Sequence, residues 1–180
     1  MTSLLLIGTG NMGIEYARIL THLDIPFKAV GRSRKKVEEF ENKTKKTALS
    51  GGIENNRDLL KENIEHCIVA VSGNELGRVT ELLVKNNVEK ILVEKPGGSS
   101  YEEIIRINQI SKKYKSKVYI GYNRRFYNSV IKAKQLIQKD NNVKSFHFDF
   151  TEWSHKIIKI PKPEIIKSNK SFKIDQKLID

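Results

Sequence analysis

Ser3 to Leu23, SLLLIGTGNMGIEYARILTHL, leaves this chain few folds to choose from. A short apolar run, Leu4 to Ile7, meets Gly8, Gly10 and Gly13 at once, and a helical pattern follows. Met12, Tyr16, Ile19, Leu20 and Leu23 recur at three- and four-residue steps and are expected to form the apolar helix face. The arrangement is G-x-G-x-x-G with a strand before it and a helix after it, the setting that gives the motif its meaning. Gly8 permits a tight turn, Gly10 leaves room for a pyrophosphate to approach the backbone, and Gly13 lets the helix pack closely. Unpaired N–H groups at the helix start, with the helix dipole behind them, would face the phosphates. Gly8, Thr9, Gly10, Asn11, Met12 and Gly13 are therefore expected to bind a dinucleotide. A glycine-rich turn in some other α/β protein is the competing reading, and the flanking elements weigh against it.

Phe27 to Val30 reads as a second strand, entered through Pro26. In NAD-preferring folds a carboxylate about 20 positions past the glycines accepts hydrogen bonds from the ribose 2′-hydroxyl. Gly31-Arg32-Ser33-Arg34 stands there instead. Guanidinium and hydroxyl groups can bind a 2′-phosphate that a carboxylate would repel. Gly31, Arg32, Ser33 and Arg34 thus point to NADP, with NAD as the alternative. Ser33 also suits the cap of the next helix, and the two roles are compatible.

That helix runs to about Asn42, with Val37 and Phe40 inward. Thr47 to Leu49 suggests a third strand, Ser50-Gly51-Gly52 a turn, and Asn56 to Lys61 a short helix burying Leu59 and Leu60. His66 to Val71, HCIVAV, is a continuous apolar run of the kind buried on both faces of a parallel sheet. Cys67 inside it reads as structural, with nothing nearby to activate a thiol. Val71 and Ser72 lie at the carboxyl end of this strand, where open α/β sheets bind ligands, and are expected to touch the cofactor. A helix marked by Leu76, Val79 and Leu83 follows, ending near Asn86-Asn87.

Lys90 to Glu94 delivers Glu94-Lys95-Pro96-Gly97-Gly98 to the same sheet edge. Proline fixes its own φ and biases Lys95 toward extended geometry, which aims the ammonium group, and Glu94 can hold it by charge. A charged turn leading into a capping box, Ser99…Glu102 or Ser100…Glu103, is the alternative. Ser100 to Tyr114 is a helix with Ile104, Ile107, Ile110 and Tyr114 toward the sheet. Val118 to Tyr122 is a sixth strand, with Asn123, Arg124 and Arg125 clustered at its carboxyl end. Ser129 to Lys139 is helical, with Val130, Ala133 and Ile137 on one face. From Val143 to Thr151 the period changes to two, Phe146, Phe148 and Phe150 alternating with polar residues.

A formal charge of +12 raises a nucleic-acid reading. The excess is mostly lysine spread over helix faces, and no RNA- or DNA-reading motif accompanies it, so no nucleic-acid partner is expected. No apolar run approaches the ~20 residues that cross a bilayer, so no membrane partner is expected. One cysteine excludes an internal disulfide, and no signal-peptide pattern precedes Leu4, so the expected address is cytoplasmic. No metal site is expected.

The glycine motif, a strand ending in Glu94-Lys95-Pro96, and Gly121-Tyr122-Asn123-Arg124-Arg125-Phe126 after the next strand together resemble the glucose–fructose oxidoreductase / inositol dehydrogenase (Gfo/Idh/MocA) family. The resemblance covers Ser3 to about Trp153, and within the family it lies nearest to oxidoreductases encoded with surface-polysaccharide genes. It implies a Rossmann-type, doubly wound α/β parallel sheet followed by the first strand of an incomplete α+β second domain. The implied activity is NAD(P)-dependent hydride transfer at a hydroxyl or ketone carbon of a sugar, cyclitol or nucleotide sugar. Lys95 would then be catalytic, beside the nicotinamide and the reacting oxygen, with Glu94 also at the cofactor and Lys95, Asn123 and Arg124 at the substrate. His147 and His155 read as ordinary strand or loop residues. The family's general acid/base histidine belongs to a later segment that this sequence lacks, so a truncated product is expected. The expected division is 1–122 for the cofactor domain, 123–155 for the start of the second and 156–180 for a basic tail. An inactive nucleotide-binding or scaffolding module is the alternative. The phenylalanines of Val143–Thr151 are expected to pack on the first domain or on another copy of the chain, which would make a homo-oligomer.

Overall fold

The computed structural model describes residues 4–62 and 64–140, together with Ser145 and His147. The expected phenylalanine strand at 143–151 and the tail from 156 lie outside the described residues, apart from those two positions. The chain divides into two compact units, Met1–Lys132 and Ala133–Asp180, and everything that positions the site belongs to the first.

Five short apolar runs form one parallel sheet: β1 (Leu4–Ile7), β2 (Lys28–Val30), β3 (His66–Val69), β4 (Lys90–Val93) and β5 (Lys117–Ile120), in the order β2-β1-β3-β4-β5. Strands hydrogen-bonded on both sides and covered on both faces need apolar residues at successive positions, and β1 and β3 have them. The helices between them are α1 (Asn11–His22), α2 (Arg34–Thr44), the short α3 (Gly52–Asn55), α4 (Gly73–Lys85) and α5 (Tyr101–Tyr114). A last helix, α6 (Asn128–Asp140), follows β5 and has no buried residue.

The core is split by the sheet. Leu6, Ala29 and Ile68 pack with Ile14, Ala17 and Leu20 of α1 and Phe40 of α2. Leu5, Ile7, Val69 and Ile91 pack on the other side with Leu76, Val79 and Leu83 of α4. Adjacent residues of β1 thus serve opposite faces, the period of two that a covered strand imposes. This is the doubly wound α/β sheet expected from the sequence.

Two expectations need correction. The third strand shrinks to a single parallel bridge, Leu49 to Val30, carried by Leu49 N–H to Ala29 O at 2.9 Å and Gly31 N–H to Leu49 O at 2.8 Å. Gly51 (φ 93°) and Gly52 (φ 69°) turn the backbone away directly afterwards, so no longer pairing can form. With that rung counted, the order matches the 3-2-1-4-5-6 of dinucleotide-binding sheets.

The buried face of α1 is Gly13, Ile14, Ala17 and Leu20. Of the expected face only Leu20 is buried; Met12, Ile19 and Leu23 are 45%, 53% and 58% exposed. Gly13 explains the rotation. A β-carbon there would stand 1.9 Å from Gly8 O, so this position must face the turn. The 100° step of the helix then carries Ile14, Ala17 and Leu20 inward.

On α2 and α5 expected positions are buried, whereas α6, with Val130, Ala133 and Ile137 expected on one face, buries none of them. Val37 and Phe40 of α2 are buried, Ile107 is buried on α5, and Ser100 caps α5 by accepting the Glu103 N–H at 3.3 Å. Glu103 reaches back to Ser99 N–H at 2.6 Å, one residue before the reciprocal bond of a capping box.

Cys67 lies at the centre of β3, and burial pushes its thiol from 9.0 up to about 12. The folded protein keeps this proton to higher pH than the unfolded chain does. The associated stability is therefore intact below about pH 9 and lost as the pH rises toward 12. A thiol reagent at about pH 8 is expected to leave the native protein unmodified and to react once guanidinium unfolds it. Rapid modification of the native protein would contradict this burial.

Candidate functional site

The strand order reverses between β1 and β3, and a cleft of about 210 Å³ opens beyond the carboxyl ends of these strands. The turn from β1 into α1 forms its floor. Gly8 takes φ 119°, donates its N–H to Val30 O at 2.8 Å, and would place a β-carbon 2.2 Å from Ala70 O. A β-carbon on Gly10 would meet nothing within 4 Å and would project into open space. Gly10 is the N-cap of α1 and makes no side-chain cap bond, and the first helical bond runs from Ile14 N–H to Gly10 O at 2.9 Å. The N–H groups of Asn11, Met12 and Gly13 precede that bond at the positive end of the helix dipole.

Gly8, Thr9, Gly10, Arg32, Ser33, Val71 and Ser72 all line this one cleft, so the structure brings seven of the expected cofactor residues together. Gly31 lies beneath it, where a β-carbon would strike Thr9 Oγ1 at 2.2 Å. Ser33 occupies the N-cap of α2 but makes no cap bond, which leaves its hydroxyl available to the cleft. Arg34 points elsewhere, pairing with Glu38 at 3.1 Å across one turn of α2.

Four charged cleft residues are absent from the sequence expectation: Lys36, Glu54, Glu75 and Arg78. The end of β2 carries no carboxylate, as expected, yet α3 and α4 bring two from elsewhere in the chain. Glu75 and Arg78 follow the Ser72-Gly73-Asn74 turn within one helical turn, a signal that reading one turn further would have found.

Glu94, Lys95, Asn123 and Arg124 form a second group at the carboxyl ends of β4 and β5. Gly97 N–H closes the turn onto Glu94 O at 2.9 Å, and the Lys95–Pro96 peptide is cis. Lys95 is exposed, and among the described residues it makes no ion pair. The expected Glu94–Lys95 contact is therefore corrected. The buried Glu94 carboxylate instead accepts the Tyr16 hydroxyl at 2.6 Å, and Tyr16 reaches it from α1. Burial first, and then the bond to Glu94 and its charge, raises the Tyr16 hydroxyl above the usual tyrosine range.

Gly121 N–H bonds Val93 O at 2.8 Å, so the chain leaving β5 passes over this pair. A β-carbon on Gly121 would come 3.4 Å from Glu94 Oε1 and 3.5 Å from Tyr16 OH. Asn123 and Arg124 follow in an exposed 3₁₀ turn, Asn123–Phe126, and neither Arg124 nor Arg125 pairs with Glu94. Among the described residues no three His, Cys, Asp or Glu side chains could hold a metal ion. No helix among them is long and apolar enough to cross a membrane.

An open glycine floor, unbonded N–H groups at a helix start and a cationic far wall fit a dinucleotide. Sheet order and cleft together define a nucleotide-binding Rossmann domain. The chain belongs to the Gfo/Idh/MocA family, described as an oxidoreductase family with an NAD-binding Rossmann fold, whose pattern matches residues 2–122.

Solved structures carry the same fold. UDP-N-acetylglucosamine 3-dehydrogenase GnnA from Acidithiobacillus ferrooxidans is 17% identical, with a TM-score of 0.62 over 74% of this chain and 41% of its own. GenD2 from gentamicin A biosynthesis, solved in complex with NAD, is 16% identical, with a TM-score of 0.66 over 80% of this chain and 41% of its own. A candidate NADPH-dependent oxidoreductase from Desulfitobacterium hafniense is 24% identical, with a TM-score of 0.66 over 77% of this chain and 40% of its own. The chain thus spans about two fifths of the length of these relatives. No curated protein matches the sequence.

Proposed function

We propose that this chain is the cofactor domain of an NADP-preferring oxidoreductase acting at a hydroxyl or ketone carbon of a sugar, cyclitol or nucleotide sugar. The observation that carries the cofactor reading is that Arg32 and Ser33 line the same cleft as the glycine turn. In this reading the N–H groups of Asn11, Met12 and Gly13 take the pyrophosphate over Gly10, with Thr9, Val71 and Ser72 along the wall. Arg32 and the free Ser33 hydroxyl take the 2′-phosphate, which Arg can grip with two parallel hydrogen bonds. A bound nicotinamide supplies the redox chemistry, and the protein supplies orientation and charge.

Lys95, exposed and without an ion pair among the described residues, would stabilise alkoxide character on the reacting oxygen and share in its proton transfer. Asn123 would hydrogen-bond a sugar hydroxyl, and Arg124 would engage a phosphate or carboxylate. GnnA, named for a nucleotide sugar, supports a sugar-like substrate class. Residues 1–122 form the cofactor domain in this reading and 123–155 begin a second one. Cytoplasmic surface-polysaccharide synthesis is the setting.

Calorimetric titration with NADPH and NADH tests the cofactor claim. NADPH is expected to bind at least about tenfold tighter than NADH, the difference that one charge-assisted interaction supplies. The reverse preference would overturn the 2′-phosphate reading, and no binding of either would remove the oxidoreductase reading with it.

A further inference from the structure

Two carboxylates face the cationic wall of the cleft, and one arginine takes up both. Arg78 Nε and Nη2 donate to Glu75 Oε2 at 3.0 and 2.5 Å, and Nη2 also lies 2.6 Å from Glu54 Oε1. Glu54 Oε1 is sealed from solvent and has no hydrogen bond, so the charge of Arg78 is its main compensation. Arg32 Nη1 stands farther off, 3.9 Å from Glu75 Oε2, and its side chain is 71% exposed. All four side chains line the cleft that holds Gly10 and Ser33.

We propose that Arg78 is a specificity-determining residue: by neutralising Glu54 and Glu75 it leaves Arg32 open to a 2′-phosphate and removes the repulsion that phosphate would meet. The inference rests on the reading of this cleft as the nucleotide site. Its physics is a competition. With Arg78 present, Glu75 is satisfied at short range and Arg32 is not drawn across the cleft. Without it, Arg32 becomes the cation nearest Glu75, and the two carboxylates confront the phosphate dianion with one counter-charge fewer. A 2′-hydroxyl meets no such penalty, because it is neutral and can donate to a carboxylate.

Burial works to raise the Glu54 carboxyl, yet its backbone hydrogen bond and Arg78 hold it below the usual range. The Glu75 carboxylate, which accepts from Arg78, and the Glu54 carboxylate beside it raise the guanidinium further. Glu54 and Arg78 are therefore both charged at neutral pH and act on the cleft through their charge.

Calorimetric titration of the wild type, Arg78→Met and Glu75→Gln with NADPH and with NADH tests the proposal. Methionine keeps the length and apolar stem of the side chain, and thermal unfolding checks that the variant is folded. Arg78→Met is expected to lower the NADPH affinity by on the order of tenfold and to leave NADH within about threefold. Glu75→Gln, which keeps the shape and removes one negative charge, is expected to tighten NADPH by about threefold or more without tightening NADH. Equal losses for both nucleotides in Arg78→Met would assign the residue a merely structural role and overturn the proposal. So would an unchanged NADPH to NADH ratio in Glu75→Gln, a test that stands even if Arg78→Met does not fold. A wild type that binds neither nucleotide fails earlier and overturns the site itself, so the two failures are told apart.

Discussion

Gly10→Ala is expected to fold like the wild type and lose nucleotide affinity, whereas Gly13→Ala is expected to yield little folded protein. The two glycines sit three residues apart in one motif, and the structure separates their reasons. At Gly10 a methyl group meets no protein atom within 4 Å, so the fold does not resist it. Alanine at this N-cap costs at most about 1 kcal/mol. The methyl would stand where the pyrophosphate approaches, and affinity for NADPH should fall by about tenfold or more. At Gly13 the β-carbon would lie 1.9 Å from Gly8 O and 2.8 Å from Gly8 C, both backbone atoms of the turn that starts the helix. Neither can rotate away, so α1 would have to leave the sheet. The cost is expected to exceed about 4 kcal/mol, a large share of the ~5–15 kcal/mol that holds a typical domain folded. Thermal unfolding followed by circular dichroism, paired with calorimetry, reads both effects. Wild-type NADPH affinity in Gly10→Ala would move the phosphates elsewhere, and a wild-type melting temperature in Gly13→Ala would contradict the packing of α1.

Lys95→Ala is expected to cut turnover steeply while sparing both fold and cofactor binding. The side chain is exposed and makes no ion pair among the described residues, so its removal should cost no more than about 0.5 kcal/mol of stability. If the ammonium group stabilises charge on the reacting oxygen, turnover should drop on the order of 10²–10³-fold. The assay follows nicotinamide absorbance with a panel of nucleotide sugars that includes UDP-N-acetylglucosamine. Equal turnover in wild type and Lys95→Ala would remove Lys95 from the chemistry. A wild type that binds NADPH but turns over none of the panel would favour the inactive nucleotide-binding module.

Much of this arrangement was legible in the residues. The runs Leu4–Ile7 and His66–Val71 predicted strands, the second buried on both faces, because such strands need apolar residues at consecutive positions; the observed strand stops at Val69. The glycine turn was legible for the same local reason: Gly8 needs its positive φ whatever surrounds it, and the strand-to-helix context is written on either side. Cys67 was read as structural, and its burial agrees. The edge of the sheet was harder. Thr47–Leu49 has strand-like composition, and only the turn at Gly51 and Gly52 limits it to one bridge.

The misread elements share one cause. Met12, Ile19 and Leu23 form a regular apolar stripe, but periodicity does not say which way a helix is turned; contact between Gly13 and the Gly8 carbonyl does. Glu94 was expected to hold its neighbour Lys95, yet Tyr16, 78 positions away, holds it instead. Glu54, Glu75 and Arg78 meet Arg32 only because α3 and α4 end up against the carboxyl edge of one sheet. Local backbone requirements and hydrophobic period decided the strands, the helices, their order and the phosphate turn, since each depends on neighbours a few residues away. The rotation of α1, the partner of Glu94 and the charge balance at the far end of the cleft were decided by packing between distant segments, which no local pattern encodes.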